Sequence, residues 1–215
     1  MKIAVIGFGA AAIGLLEGLK NTSHEIHVFE KSPDIYSSSI SGIRADGKLF
    51  VSKDMGGDID IDLTLQKKLV DYYVNHTHDK NIETGISFGN TPFFNKFYQE
   101  GFQPISADFY HLGTDQLKEV LFNIYENFKQ QPHIHFHFNY LVTSVEKSNG
   151  QIKINHTDLF DNVYVSVGRS GHPLIKSIIK KMPKLILDNT KVDLGIRFEL
   201  PNHIIEELNK EMYEF

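Results

Sequence analysis

The chain is 215 residues long, enough for one large domain or one domain with part of another. Its 41% hydrophobic and 23% charged residues are those of an ordinary globular protein. A formal charge of −5 supplies no basic surface, so neither nucleic acid nor an anionic membrane is expected as a partner. With no cysteine, disulfides, thiolate nucleophiles and redox-active dithiols are excluded, and any electron transfer must run through another group.

The apolar N-terminus, residues 1–19, has one lysine and an apolar run broken by glycines and by Glu17, and a strand pattern follows it at once, so it is not read as a signal peptide. No stretch reaches the apolar length of a transmembrane helix, and a cytoplasmic protein is the expectation. Lys2 to Ile6 is a continuous, partly β-branched apolar run ending at Gly7, which predicts a strand buried on both faces. Ala10 to Lys20 has helical character, with Ile13, Leu16 and Leu19 facing a sheet, and Glu25 to Glu30 reads as a second parallel strand. Together they form a βαβ unit.

Ser32 to Asp60 is rich in Ser, Gly and Asp and is read as a ligand-contacting excursion. Ile61 to Thr77 is predicted helical, and Gly85 to Leu112 is aromatic and irregular, with its rings expected in packing rather than in a ligand cage. Thr114 to Lys129 is an amphipathic helix in which Leu117, Val120, Leu121, Ile124 and Phe128 share a face, with Thr114 or Asp115 as cap. Strands are predicted at His133–Phe138, Leu141–Lys147, Gln151–Thr157 and Asn162–Val167, with a hairpin turn at Ser148, Asn149 and Gly150. Helix, strand and helix follow at Pro173–Lys181, Val192–Phe198 and His203–Met212.

The turn after the first strand, Gly7-Phe8-Gly9-Ala10-Ala11-Ala12, has the chemistry of a dinucleotide site. Gly7 allows the tight bend, Gly9 the close approach of a pyrophosphate, and the helix starting at Ala10 and Ala11 turns its free N–H groups toward the phosphates. Ala12 holds the third position, usually glycine, which leaves the cofactor's identity open; Gly14 is read as relief for helix–strand packing. Glu30 ends the second strand as an acceptor for the adenosine ribose hydroxyls and a repellent for a 2′-phosphate, favouring FAD or NAD over NADP. Lys31, the next residue, is placed with the site. FAD is preferred to NAD because the chain leaves regular βα alternation after Glu30 and later turns to short antiparallel strands. Residues 162–171 (NVYVSVGRSG) resemble the second marker of the glutathione-reductase-like superfamily, an apolar strand ending in Ala-Thr-Gly, and the resemblance implies that the backbone at Gly168 passes close to the cofactor. Arg44, Asp46 and Lys48, in the loop after the ribose strand, are candidates for contact with pyrophosphate or flavin.

Several segments resemble, in order, those of a bacterial family of FAD-dependent dehydrogenases without an assigned substrate, within the glutathione-reductase-like superfamily. Residues 42–49 (GIRADGKL) resemble its SDGKL loop, and residues 111–115 (HLGTD) its HxGTD segment. Residues 193–201 (DLGIRFELP) are similar to its xxGVRIEHP strand, and residues 166–172 (SVGRSGH) partly match AVGHSARD. The resemblance implies an α/β fold: a Rossmann-like parallel sheet with a helical insertion and an antiparallel addition. It implies an FAD-dependent oxidoreductase acting with a small-molecule substrate or an electron donor or acceptor. Such proteins are longer, and the flavin-contacting motif of their last segment is not found, so the chain is expected to be an N-terminal portion. The expected division is residues 1–172 for FAD, with 46–110 inserted, and 173–215 as the start of a second, substrate domain.

Two rivals stand beside this reading: an NAD-dependent enzyme and a non-catalytic dinucleotide-binding module. His133, His135 and His137 share a strand face but spread over roughly 13 Å, too far for all three to reach one ion, so no metal is expected. His111, Asp115, Arg197 and Glu199 are further polar candidates without an assigned role. The sequence assigns no catalytic residue and no oligomeric state.

Overall fold

A computed structural model describes residues 1–36, 47–53, 60, 62–78, 82–86, 92–103, 107–156, 158–182, 195–196 and 199–211. In chain order the elements begin β1 (Lys2–Ile6), α1 (Ala10–Leu19), β2 (Glu25–Phe29), β3 (Lys48–Val51), α2 (Leu63–Val74), β4 (Glu83–Ile86), α3 (Pro92–Gln99) and β5 (Asp108–His111). They continue as α4 (Thr114–Lys129), β6 (Ile134–His137), β7 (Val145–Ser148), β8 (Gln151–Ile154), β9 (Asp158–Phe160), β10 (Asn162–Val165), α5 (His172–Lys181) and α6 (Asn202–Glu211). A short 3-10 turn, Arg169–Gly171, leads into α5. The chain divides into two compact units: Met1–Ala45 with Leu117–Thr190, and Asp46–Gln116 with Lys191–Phe215.

The first unit is built on a parallel four-stranded sheet of order β10-β1-β2-β6. Side chains of a strand alternate between faces, so β1 and β2 each fill two layers. On one face Ile3, Val5, Ile26 and Val28 are buried, and α4 reaches that side through Tyr125, whose ring meets Phe136 of β6 edge-on at 5.0 Å. On the other, Ala4, Ile6 and Phe29 form a core with Val145, Ile154, Phe160 and Leu174, brought by the antiparallel strands β7-β8-β9 and by α5. Buried on both faces, β1 reads as the unbroken apolar run seen in the sequence. All the residues expected on the inner face of α4 are buried.

The hairpin β7–β8 closes through Asn149 and Gly150, at φ 48° and 86°. Two successive residues at positive φ suit the right-handed twist of the flanking strands. The strand expected at 141–147 is shorter: ladder pairing begins only at Val145. The preceding residues bond to a side chain instead. Asn155 Oδ1 accepts from the N–H groups of Thr143 and Ser144 at 2.8 and 3.3 Å, and its Nδ2 donates to the Leu141 carbonyl at 2.9 Å. Asp161 joins the antiparallel layer to the parallel one. Its N–H donates to the Lys2 carbonyl at 2.8 Å, and its Oδ2 accepts from the Lys2 N–H at 2.7 Å.

In the second unit β5 pairs antiparallel with both β3 and β4. The segment read as irregular from Gly85 onward thus holds a central strand and, at α3, a helix. Its order comes from pairing with distant strands rather than from local period. Asp62 caps α2 by accepting from the Thr64 N–H at 2.7 Å; that bond holds the Asp62 carboxyl below its ordinary pKa. The aromatic side chains there divide: Phe109 is buried, whereas Tyr98 and Phe102 are exposed. The strand expected at 192–198 lies largely outside the described residues. Among the described residues no helix is long and apolar enough to cross a membrane.

Candidate functional site

In an open parallel sheet, ligands sit beyond the carboxyl ends of the strands. In the first unit a cavity of about 880 Å³ occupies that place, lined from β1 by Ile6, Gly7, Phe8 and Gly9, from β2 by Phe29, Glu30 and Lys31, and from β10 by residues 166–171. Residues 140–143 and the start of α5 complete the wall. Every lining residue belongs to this unit.

The turn after β1 is tied to both neighbouring strands. Gly7 donates its N–H to the Phe29 carbonyl at 2.8 Å, and Ser166 donates to the Ile6 carbonyl at 2.8 Å. Gly7 has φ 91°, and a Cβ on it would lie 2.8 Å from the Ser166 carbonyl oxygen. Both the backbone conformation and the proximity of β10 therefore require glycine here. Gly9 is the N-cap of α1 in extended conformation, no side chain caps the helix, and its first turn holds no acidic residue. The N–H groups of Ala10, Ala11 and Ala12 thus begin the helix with no side-chain cap and no acid in the first turn against its positive dipole end. Ala12 is fully buried and takes the helix-packing position itself. Gly14 does not supply the expected relief: a Cβ there meets no described atom within 4 Å.

Glu30 is 6% exposed. Its Oε2 accepts from the Phe8 N–H at 2.9 Å, and its Oε1 from the N–H and hydroxyl of Ser32 at 2.9 and 2.8 Å. A carboxylate has about four acceptor positions, so this one is fixed in place while Oε2 keeps capacity for a ligand hydroxyl. Lys31 donates from Nζ to the Ser170 hydroxyl at 2.8 Å, linking the end of β2 to the turn after β10. Gly168 is the N-cap of that turn and lines the cavity; a Cβ there meets no described atom within 4 Å, the opening expected where backbone faces a bulky ligand.

Gly7, Gly9, Glu30, Lys31 and Gly168 therefore meet at one cavity, with Ala10, Ala11 and Ala12 in the helix turn behind it. Lys48 lies in the second unit, paired in register with His111, and Arg44 and Asp46 fall outside the described residues. Arg197 falls outside them as well. Tyr140, Thr143, Arg169 and Ser170 line the cavity without having been singled out as site residues. Residues 140–143 carry no local motif; they arrive through the Tyr140 N–H, which donates to the Glu30 carbonyl at 2.9 Å.

In the second unit, the Leu112 N–H donates to the Gly47 carbonyl at 2.9 Å, and a Cβ on Gly47 would lie 2.9 Å from the Gly113 carbonyl oxygen. The GKL and HLGTD segments thus pack together, Lys48 opposite His111, as one structural corner.

No family model matches the sequence. No curated protein matches it either. Among solved structures, glycine oxidase from Geobacillus kaustophilus is similar at 13% identity and TM-score 0.48, over 82% of this chain and 57% of that one. CtdE in complex with FAD is similar at 15% identity and TM-score 0.45, over 78% and 38%. L-Amino acid deaminase from Proteus myxofaciens, in complex with anthranilate, is similar at 10% identity and TM-score 0.45, over 82% and 47%. The chain spans less than two thirds of the length of each. Similarity this slight assigns no chemistry.

Proposed function

We propose that the first unit binds FAD and that the protein serves FAD-dependent oxidation–reduction of a small-molecule substrate or electron carrier. One observation carries this reading: the glycine turn, the fixed Glu30 carboxylate and the open backbone at Gly168 border a single cavity at the carboxyl ends of parallel strands. The residues suit the cofactor chemically. The uncapped N-terminus of α1 suits a pyrophosphate, Oε2 of Glu30 accepts from a ribose hydroxyl, and Lys31 and Arg169 bring positive charge to the rim.

Bound FAD supplies the hydride and electron transfer. The chain's own residues bind and orient. Phe8 and Ser32 hold Glu30 in position, and the Lys31–Ser170 bond joins the two strand ends that flank the turn. The choice of FAD over NAD rests on element order. After β6 the chain forms the antiparallel layer β7-β8-β9 and only then returns beside β1 as β10, instead of continuing regular βα alternation.

The test is an absorption spectrum of the purified protein, before and after reconstitution with FAD, and of Glu30→Ala beside it. The expected outcome is a flavin spectrum whose released cofactor is FAD, lost or sharply reduced in the variant. A protein that takes up no flavin but binds NADH saturably overturns the reading in favour of the nicotinamide cofactor. Bound FAD that no donor reduces would leave a dinucleotide-binding module.

A further inference from the structure

We propose that the face of the sheet at β2 and β6 carries a site for a divalent transition-metal ion of the zinc type, held by Glu25, His27 and His135. The basis is the placement of the three side chains by parallel pairing. β2 and β6 run in register with His27 opposite His135, and Glu25 precedes His27 by two residues, so all three stand on one face. One ligand atom from each lies within 4.8 Å of the others. Glu25 Oε1 is 2.8 Å from His27 Nε2, and the rings of His27 and His135 are 5.0 Å apart between centroids.

His133, His135 and His137 are too widely spread along one strand for all three to reach one ion; the adjacent strand changes that arithmetic by exchanging distance along a strand for the narrower distance between strands. Zinc bonds of about 2.0–2.1 Å place tetrahedral donors about 3.4 Å apart. Glu25, now 2.8 Å from His27 Nε2, has to draw back slightly and His135 to move in, each by rotation of an exposed side chain. Two imidazoles and a carboxylate with a fourth position open to water form a borderline N/O donor set, which suits Zn²⁺ and not Ca²⁺ or Mg²⁺.

A further contact orients the central ligand. His27 Nδ1 is 2.9 Å from His137 Nε2, and the two rings are stacked at 5.1 Å with 7° between their planes. A carboxylate only accepts, so without an ion Nε2–H of His27 donates to Glu25; holding an ion at Nε2 calls for the other tautomer, in which Nδ1–H donates to His137, the outer hydrogen bond that commonly fixes a metal-bound imidazole. His27 also packs edge-on against Phe160 at 5.5 Å. Within the described sheet β6 lies at an edge. An ion bridging β2 and β6 would clip that strand to its neighbour, a role separate from the cofactor cavity.

The experiment is isothermal titration calorimetry of the whole chain with ZnCl₂, beside Glu25→Gln, His135→Ala and, as a control at an exposed histidine of α6, His203→Ala. Each ligand variant should keep the wild-type circular dichroism spectrum, since both side chains are exposed. One ion per chain is expected, with affinity falling at least about tenfold in each ligand variant and unchanged in the control. Cobalt titration reads geometry directly: a tetrahedral ligand-field band should appear in wild type and vanish in His135→Ala. Absence of one-to-one binding in wild type overturns the proposal, as do ligand variants that bind as tightly as wild type.

Discussion

Glu30 stands at the centre of the site because two backbone donors and a hydroxyl hold it there, and any replacement must answer for them. In Glu30→Gln an NH₂ group would face either the Phe8 N–H or the Ser32 donors. Donor against donor in a buried setting should cost about 1–3 kcal/mol of stability, measured by denaturant unfolding, besides weakening flavin retention. Gly7 and Gly47 pose a different residue-scale question. Both have positive φ, 91° and 75°, and a Cβ on either would come within 2.9 Å of a carbonyl oxygen. Each substitution to Ala should destabilise by about 1–3 kcal/mol from backbone strain. Only Gly7 borders the cavity, so Gly7→Ala should also abolish flavin uptake, whereas Gly47→Ala provides a measure of strain within the other unit.

At the scale of elements, the wall formed by residues 140–143 has no ladder of its own and depends on Asn155. Removing that amide in Asn155→Ala takes away bonds to Leu141, Thr143 and Ser144. A loss of about 1–2 kcal/mol in unfolding free energy is expected, with a rise in the FAD dissociation constant as the wall loosens. Asp161 joins two layers, and its carboxyl is held below its ordinary pKa first by the Lys2 N–H and then by the Gln151 amide. A carboxyl whose pKa is lowered on folding stabilises fully above its unfolded value and loses that contribution as pH falls through the folded value. Asp161→Asn should therefore be less stable than wild type near neutrality, and the difference should shrink as unfolding is followed below about pH 4.

For the whole molecule, a cofactor that binds the folded state alone raises its stability by mass action. FAD at a hundred times its dissociation constant should add about 2.7 kcal/mol, read as a rise in the thermal midpoint that grows with FAD concentration. Glu30→Ala should show no such rise at the same concentration. The two units bear on this differently: the cavity lies wholly within the first, so hydrogen exchange of residues 140–143 and 166–171 should slow when FAD is bound.

Local chemistry was legible in the sequence. The buried strand β1, the glycine turn, the carboxylate ending β2, the inner face of α4 and the Asn149–Gly150 hairpin each follow from a short window, because strand alternation, helical period and turn chemistry are set by neighbours in the chain. The order of strands was not legible. It is β10, from the far end of the unit, that lies against β1, and this brings Ser166 to Gly7, Gly168 to the cavity and Ser170 to Lys31. Gly85 to Leu112 looked irregular for the same reason, since β5 is organised by strands that its own residues do not encode. The histidines make the distinction sharpest. His133, His135 and His137 lie too far apart along the chain for all three to reach one ion, whereas pairing in register with β2 sets His135 beside His27 and Glu25. Sequence determined which groups are present and which face of a strand they take. Tertiary structure alone decided which faces meet, because non-local pairing brings together residues that no local period relates.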